Sequence, residues 1–274
     1  MFAEKECMRL RIASLMKQVP LPSEMRTGAD GLMDRTTARS TINHDCTFAL
    51  ESALEIKDRV PDAELSVVSM GPPSFEQSLR KAISLGFDRA CLLSDRRLGG
   101  SDTFATGLAL ATFLKKLGFD RELGEPFVVL AGRQTSDGDT AHVPSQVAEV
   151  LGIPQATFAQ QVEYGGDHVT VRRIIEGGFQ RLRLPLPCLI SIAPTARAVR
   201  RPSMKGILRA KSAVIETWNL DQIGLDPGRV GLDGSPTIVA KTVNTERTRP
   251  DATLIEGSAE AMVDRLAIAL GGRP

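Results

Sequence analysis

Phe127-Val128-Val129-Leu130-Ala131-Gly132-Arg133-Gln134-Thr135-Ser136-Asp137-Gly138-Asp139-Thr140-Ala141-His142-Val143 is the stretch on which the reading of this chain turns. Its first five residues form an unbroken apolar run, as in a strand buried on both faces of a parallel sheet. A Gly-containing turn of short polar side chains follows. From there Val143, Val147, Val150 and Leu151 share one helical face. In open α/β sheets, the turn between a strand's carboxyl end and a helix N-terminus is where nucleotides sit. The unpaired N–H groups and partial positive charge of the first helical turn suit a phosphate. The same loop also reads as a well-capped connection with no ligand, so the rest of the chain decides.

Upstream, the same strand-then-helix pattern repeats. Residues 9–17 form a first strand, ahead of a loop punctuated by Pro20 and Pro22. Asn43 stands as N-cap to a helix over 44–60, with Phe48, Leu50, Leu54 and Ile56 on its apolar side. A strand over 65–70 ends in Gly71-Pro72-Pro73, and Ser74 with Gln77 predicts a capping box for a helix closed by Gly86. The apolar run at 90–93 leads into Ser94-Asp95-Arg96-Arg97-Leu98-Gly99-Gly100-Ser101-Asp102-Thr103, and a helix from about residue 102 to 117 ends at Gly118. This alternation predicts an α/β fold: an open, mostly parallel, Rossmann-like sheet with helices on both faces, of the kind that binds adenine nucleotides. Right-handed crossovers place the loops after residues 17, 70, 93 and 131 on one rim, which becomes the expected pocket.

Downstream of Pro154 the pattern changes. Residues 155–163 and 168–175 alternate about a turn at 164–167, Glu176-Gly177-Gly178 starts a second tight turn, and Cys188-Leu189-Ile190-Ser191-Ile192 returns as a buried strand. These predict antiparallel strands at one sheet edge. From Arg197 periodicity fades, so residues 197–256 are expected to be an extended arm lying on a partner, ahead of an amphipathic helix over 258–270 and Gly271-Gly272. The division expected is a nucleotide-binding domain over 1–196 and a partner-recognition loop with C-terminal arm over 197–274.

Composition removes several function classes. With 274 residues, 34 Lys+Arg against 33 Asp+Glu and a net charge of +1, no global field points to nucleic acid or an anionic membrane. No run approaches the ~20 apolar residues of a membrane span, and the acidic start at 1–8 resembles neither a secretion signal nor a transit peptide. Cytoplasm is the expected location. Cys7, Cys46, Cys91 and Cys188 form no CxxC pair, and His44, His142 and His168 are scattered, so neither a disulfide framework nor a metal site is expected. Ser101 and Ser136 lack a Gly-x-Ser-x-Gly setting, and Cys46 close to His44 reads as a helix-start coincidence. No Walker loop and no Gly-x-Gly-x-x-Gly occurs, and no Ser-Gly-Gly-x-Asp loop of ATP-using hydrolases follows the first strand. What the rim loops carry is hydrogen-bonding: Lys17, Ser69, Asp95, Arg96, Asp102, Thr103, Thr106, Gln134, Thr135, Asp137, Asp139 and Thr140. Such a rim holds adenosine and phosphates without transforming them. Asp102 and Asp139 also read individually as helix caps.

Several motifs at matched spacing, from about Leu10 to Ile215, resemble the beta subunit of electron-transfer flavoprotein. They are Met16-Lys17-Gln18-Val19-Pro20, Asn43, Met70-Gly71-Pro72-Pro73, Leu85-Gly86-Phe87-Asp88-Arg89, the 132–140 loop, Leu151-Gly152-Ile153-Pro154-Gln155, and Arg173 ahead of Gly177-Gly178 and Leu182-Arg183-Leu184-Pro185-Leu186-Pro187. The resemblance implies a heterodimer with a flavin-carrying alpha subunit. It implies an adenine nucleotide held by the rim residues together with Met16, Asn43, Met70, Gly71, Gly132, Arg133, Gly138, Ala141 and Val143. In housekeeping members that nucleotide is structural AMP. In electron-bifurcating members it is FAD, which takes hydride from NADH and sends electrons to an acyl-CoA dehydrogenase-like flavoprotein and to ferredoxin or flavodoxin. The 94–106 segment and the sequence Asp137-Gly138-Asp139-Thr140-Ala141 resemble the bifurcating group, because housekeeping members carry a further acid at the position of Gly138. The resemblance assigns partner contacts to Arg173, Met204 and Lys205, within a recognition loop at 201–211. It departs at Ile174, where the family often has an acid. A plain adenine-nucleotide scaffold without redox role is the reading from another class.

Overall fold

The computed structural model describes residues 9–21, 26–27, 33–34, 39–240 and 252–271. The expectations placed on the first eight residues, on Pro22, on 241–251 of the arm and on Gly272 lie outside the described residues. In chain order the elements are β1 (Arg11–Leu15), β2 (Gln18–Pro20), β3 (Arg26–Thr27), β4 (Met33–Asp34), β5 (Ser40–Ile42), α1 (His44–Arg59), β6 (Glu64–Met70), α2 (Glu76–Leu85), β7 (Arg89–Leu93) and α3 (Thr103–Lys116). They continue with β8 (Phe127–Gly132), α4 (Val143–Leu151), β9 (Gln155–Tyr164), β10 (His168–Ile175), β11 (Gly178–Pro185), β12 (Cys188–Ile192), α5 (Met204–Ser212), β13 (Glu216–Trp218), α6 (Leu220–Ile223) and α7 (Ala259–Ala269).

Nine strands form one sheet in the order β11-β10-β9-β12-β8-β1-β6-β7-β13. The segment from β12 to β13 is parallel throughout, and the β9–β10–β11 meander is antiparallel. Side-chain alternation sorts the core onto two faces. Ile12, Leu65, Val67, Leu130 and Ile190 pack with Leu50, Leu54, Leu79 and Ile83 of α1 and α2. Ala13, Val68, Leu93, Val129 and Leu189 pack with Leu108, Leu114 and Val147 of α3 and α4. The apolar runs that looked continuous in sequence are thus buried from both sides.

The register levels the strand ends. Leu15 sits opposite Val68 and Ala131, Met70 opposite Leu93, Ile192 opposite Gly132, and Trp218 opposite Leu93. All the parallel carboxyl ends therefore open onto one rim, as the crossover rule requires. The opposite edge is cross-linked by charge. Arg89 forks onto Glu216 with two contacts of 2.9 Å, and Arg11 donates to the carbonyls of Leu117 and Gly118 just past the end of α3.

Three sequence expectations are corrected. The 74–77 capping box does not form: Pro73–Phe75 make a 3-10 turn and α2 starts at Glu76 without a side-chain cap. The Phe75 ring folds over Gly71, so close that a Cβ there would lie 2.4 Å from it. Residues 197–256 are not without regular structure, because α5 packs on α2 and β13 adds a strand beside β7. Asn43 occupies the N-cap position of α1, yet its side chain caps nothing.

Candidate functional site

Strand order reverses at β1. The chain leaves β1 toward β6 and β7, then returns to lay β8 on β1's other flank. A switch point of this kind is where an α/β sheet offers a crevice, here beyond the carboxyl ends of β1 and β8; a cavity of about 390 Å³ lies elsewhere, against Glu55, Arg59, Gln160, Glu163, Arg172 and Arg197. Asn43 is buried at the switch point. Its backbone N–H donates to Lys17 O at 2.9 Å, its Nδ2 donates to Gln134 O at 2.7 Å, and its Oδ1 accepts from Ser136 N at 3.1 Å. One residue thus joins the loop after β1, the start of α1 and the loop after β8. Lys17 supplies a second tie across the crevice, its Nζ lying 2.8 and 2.9 Å from the two carboxylate oxygens of Asp137. The Lys17 side chain is 42% exposed and that of Asp137 only 1%, so the buried anion is held by a cation at the surface.

The 132–142 loop is tightly specified at its base. Gly132 runs so close to the N-terminus of α1 that an added Cβ would lie 2.7 Å from Asp45 C and Cys46 N. Arg133 pairs with Asp45 at 3.1 Å and donates its backbone N–H to Ile192 O. The carbonyl of Thr135 accepts from the N–H groups of both Gly138 and Asp139, and the Gln134 amide donates to the Asp139 carboxylate. Asp139 and Ala141 both sit in the left-handed region, with φ of 51° and 58°. Two such non-glycine residues one apart cost about 1–3 kcal/mol each and cluster at ligand clamps. Alternating handedness also turns successive N–H groups into a concavity that suits an anion. Gly138 is exposed and a Cβ would meet only Thr135 Oγ1 at 3.7 Å, so protein packing does not demand a glycine there. α4 begins at Val143 with no side chain capping it and Pro144 in its first turn. Thr140 stands exposed at the loop's outer end.

The remaining rim residues divide. Ser69 is fully buried at the end of β6 and, like Ser14 and Ser66, its hydroxyl has no partner among the described residues, a cost of about 1–3 kcal/mol unless a ligand or water supplies one. Met16 is buried in the core, and Met70 and Gly71 are half-buried beside Leu93. Thr103 accepts weakly from Gln146 at 3.3 Å, and Thr106 lies half-buried one turn into α3. Arg96 is exposed and makes no ion pair among the described residues.

Asp95 and Asp102 are engaged elsewhere. A strap over residues 219–237, which the sequence reading left as an arm, runs along the 94–103 loop. Leu220 N donates to Asp95 Oδ2 at 3.2 Å, and Arg97 bridges Asp95 and Asp221. Gly231 N donates to Ser101 Oγ, and Ser235 Oγ accepts from Asp102 N. Asp102 caps Ala105 through one oxygen and accepts Thr237 N and Oγ1 at 3.0 and 2.7 Å through the other. The Arg97 guanidinium, with the N–H groups of Arg97 and Leu220, holds the Asp95 carboxyl well below the usual range against the opposing effect of burial. Burial works to raise the Asp102 carboxyl, and the N–H groups of Ala105 and Thr237 with the Thr237 hydroxyl outweigh it, leaving it lowered. Sequence reasoning missed Arg97, Asp221 and Thr237. Only the two acids themselves gave a signal, both as ligand groups and Asp102 also as the helix cap that it is.

His44 stacks edge-on against Phe48 while Cys46 is buried, its thiol pushed up by burial. Among the described residues no group of His, Cys, Asp and Glu could hold a metal ion, and no helix is long and apolar enough to cross a membrane.

The residues expected to meet a partner lie on β10 and α5. Arg173 is on β10, bonded to Gln180 at 2.9 Å and to Thr157, with Ile174, Ile175 and Phe179 exposed at the hairpin end. Glu176 is exposed there and Arg172 lies over the Phe179 ring, and neither makes an ion pair among the described residues. Met204 and Lys205 open α5, which is a docked helix and not a loop. Met204 is 72% exposed.

Residues 30–223 match the electron transfer flavoprotein domain family. The chain is 40% identical over 262 residues to protein FixA of Azorhizobium caulinodans, covering 94% of this chain and 92% of that one. It is 39% identical to the electron transfer flavoprotein subunit beta of Clostridium acetobutylicum, with 86% and 89% covered. The chain belongs to the electron-transfer flavoprotein beta-subunit family. A further member, the caffeyl-CoA reductase-Etf complex subunit CarD of Acetobacterium woodii, is 39% identical, with 85% and 87% covered.

Proposed function

We propose that this chain pairs with a flavin-carrying alpha subunit and holds FAD at the β1/β8 crevice. In this reading it accepts hydride from NADH and divides the electrons between the alpha-subunit flavin and a ferredoxin or flavodoxin. The alpha-subunit branch leads on to an acyl-CoA dehydrogenase-like flavoprotein. The observation that carries the reading is the 132–142 loop. Its left-handed residues, uncapped helix start and bare Gly138 make a cradle for a diphosphate. The unpartnered hydroxyl of Ser69 and the surface cation of Lys17 fit the same group. The name of CarD, a subunit of a reductase–Etf complex, supports a CoA-thioester reductase as partner. When bound, FAD supplies the exchange between two-electron and one-electron chemistry. The chain's own work would be to hold the cofactor through its diphosphate, with the backbone of residues 138–141, Lys17 and Ser69 as the groups that would meet it.

The second reading is a beta subunit with structural AMP and no redox role. It is favoured by the strap, because Asp95, Ser101 and Asp102, three marks of the FAD-binding group, are occupied in holding residues 219–237. Both subunits should be copurified and flavin counted against AMP per heterodimer. Two flavins, bleached on anaerobic mixing with NADH, support the first reading. One flavin with one AMP, and a spectrum that NADH leaves unchanged, establish the second.

A further inference from the structure

The two ties across the crevice have a consequence for how the cradle is made. Asn43 commits both ends of its carboxamide to the backbone of residues 134–136, with Nδ2 also 3.5 Å from Cys46 Sγ, and caps no helix N–H. Asp137 is buried with its carboxylate against Lys17 on the opposite side of the switch point. Both ties act on the stretch immediately before Asp139 and Ala141, whose positive φ values an unheld loop would not keep. We propose that Asn43 and Asp137 are positioning residues: they latch the 132–142 loop from the β1–α1 side, so that its N–H groups converge before any phosphate arrives. In this proposal both act through the loop's backbone. The Asn43 carboxamide is a crossbrace, and the Asp137 carboxylate is an anchor that draws Lys17 over the loop. The benefit is preorganisation, since a cradle already ordered loses little entropy on binding. This rests on the reading of the crevice as an adenine-nucleotide site.

Two variants of the full chain, stripped of nucleotide, test it. Asn43→Ala removes the brace. Asp137→Asn removes the anchor while making the crevice more positive. Electrostatics alone would then tighten binding of a phosphate ligand, whereas a latch predicts weaker binding. Calorimetric titration with AMP and with adenosine separates the phosphate cradle from the rest of the site. The expected result for each variant is AMP binding weakened about tenfold, adenosine binding unchanged, and faster hydrogen exchange at amides 134–141 in the free protein. Tighter AMP binding by Asp137→Asn, or equal losses for AMP and adenosine, would overturn the latch. If Asn43→Ala fails to fold, Asp137→Asn decides alone. If the unmodified chain binds neither AMP nor FAD, the nucleotide reading fails, and exchange still judges the latch: unaltered rates at 134–141 in both variants sink it.

Discussion

Gly132 stands where β8 leaves the least room for the start of α1. A methyl group 2.7 Å from two backbone atoms cannot be absorbed by a rotamer change, so strand and helix must separate. Gly132→Ala should cost about 1–3 kcal/mol of stability, read as a fall in the thermal midpoint, and should lower nucleotide retention with it. An unchanged midpoint would show that the contact relaxes at no cost. The cysteines make a second case at this scale. Cys91 and Cys188 lie in β7 and β12, and burial pushes their thiols up to about 12. Cys46 is raised for the same reason. Because the thiolate is the reacting form, no more than one thiol per chain should react with a disulfide reagent near pH 8 before unfolding. Rapid labelling of Cys91 or Cys188, located by peptide mapping, would contradict the packing of the sheet.

Among the elements, the strap over 219–237 is the part whose attachment is most exposed to test. Asp95 has a depressed carboxyl pKa, so its contribution is present above its ordinary value and lost as pH falls through the lower folded one. Exchange protection at Leu220 N should therefore hold from pH 7 down to about pH 4 and fail only in stronger acid. Loss of protection between pH 7 and 5 would mean that Asp95 does not anchor the strap. Asp102→Ala removes the cap of α3 and both Thr237 bonds together, an expected cost of about 1–2 kcal/mol, with residues 231–237 losing protection first. These elements also show what the sequence could reveal. β6, β7, β8 and β12 were legible because burial from two sides demands continuous apolar runs. β13 was not, being three residues at an edge with no room for a period. The nine residues of α5 bury only Ala210, so its apolar residues looked like scatter. Asn43 was placed correctly as the residue before α1, but its bonds run 91 and 93 positions along the chain, a range no local pattern encodes. Asp102 was legible as the cap of α3, but its bonds to Thr237, and those of Asp95 to the strap, run more than 120 positions along the chain.

For the whole molecule, the same sheet supports two surfaces that must work without disturbing one another. The crevice lies over β1 and β8, while α5 rides on α2 toward the β13 edge. α5 is pressed down at Gly206, where a Cβ would lie 2.1 Å from Ser84 O. Arg209 donates to the carbonyls of Ile83 and Phe87, and Arg80 donates to those of Ala210 and Ala213. Met204 therefore projects from a rigid pedestal, 72% exposed and flanked by Leu208 at 58%. An exposed, adaptable thioether on a fixed base has the character of an interface anchor. Met204→Asp removes no buried contact, so the thermal midpoint and the cofactor count of the heterodimer should stay as they are. Electron delivery to the dehydrogenase partner should fall roughly tenfold, the loss of one central anchor, and Met204→Leu should restore most of it. Normal turnover in the aspartate variant would detach α5 from partner recognition. A fall in cofactor content would instead show that the two surfaces are coupled through α2 and β6.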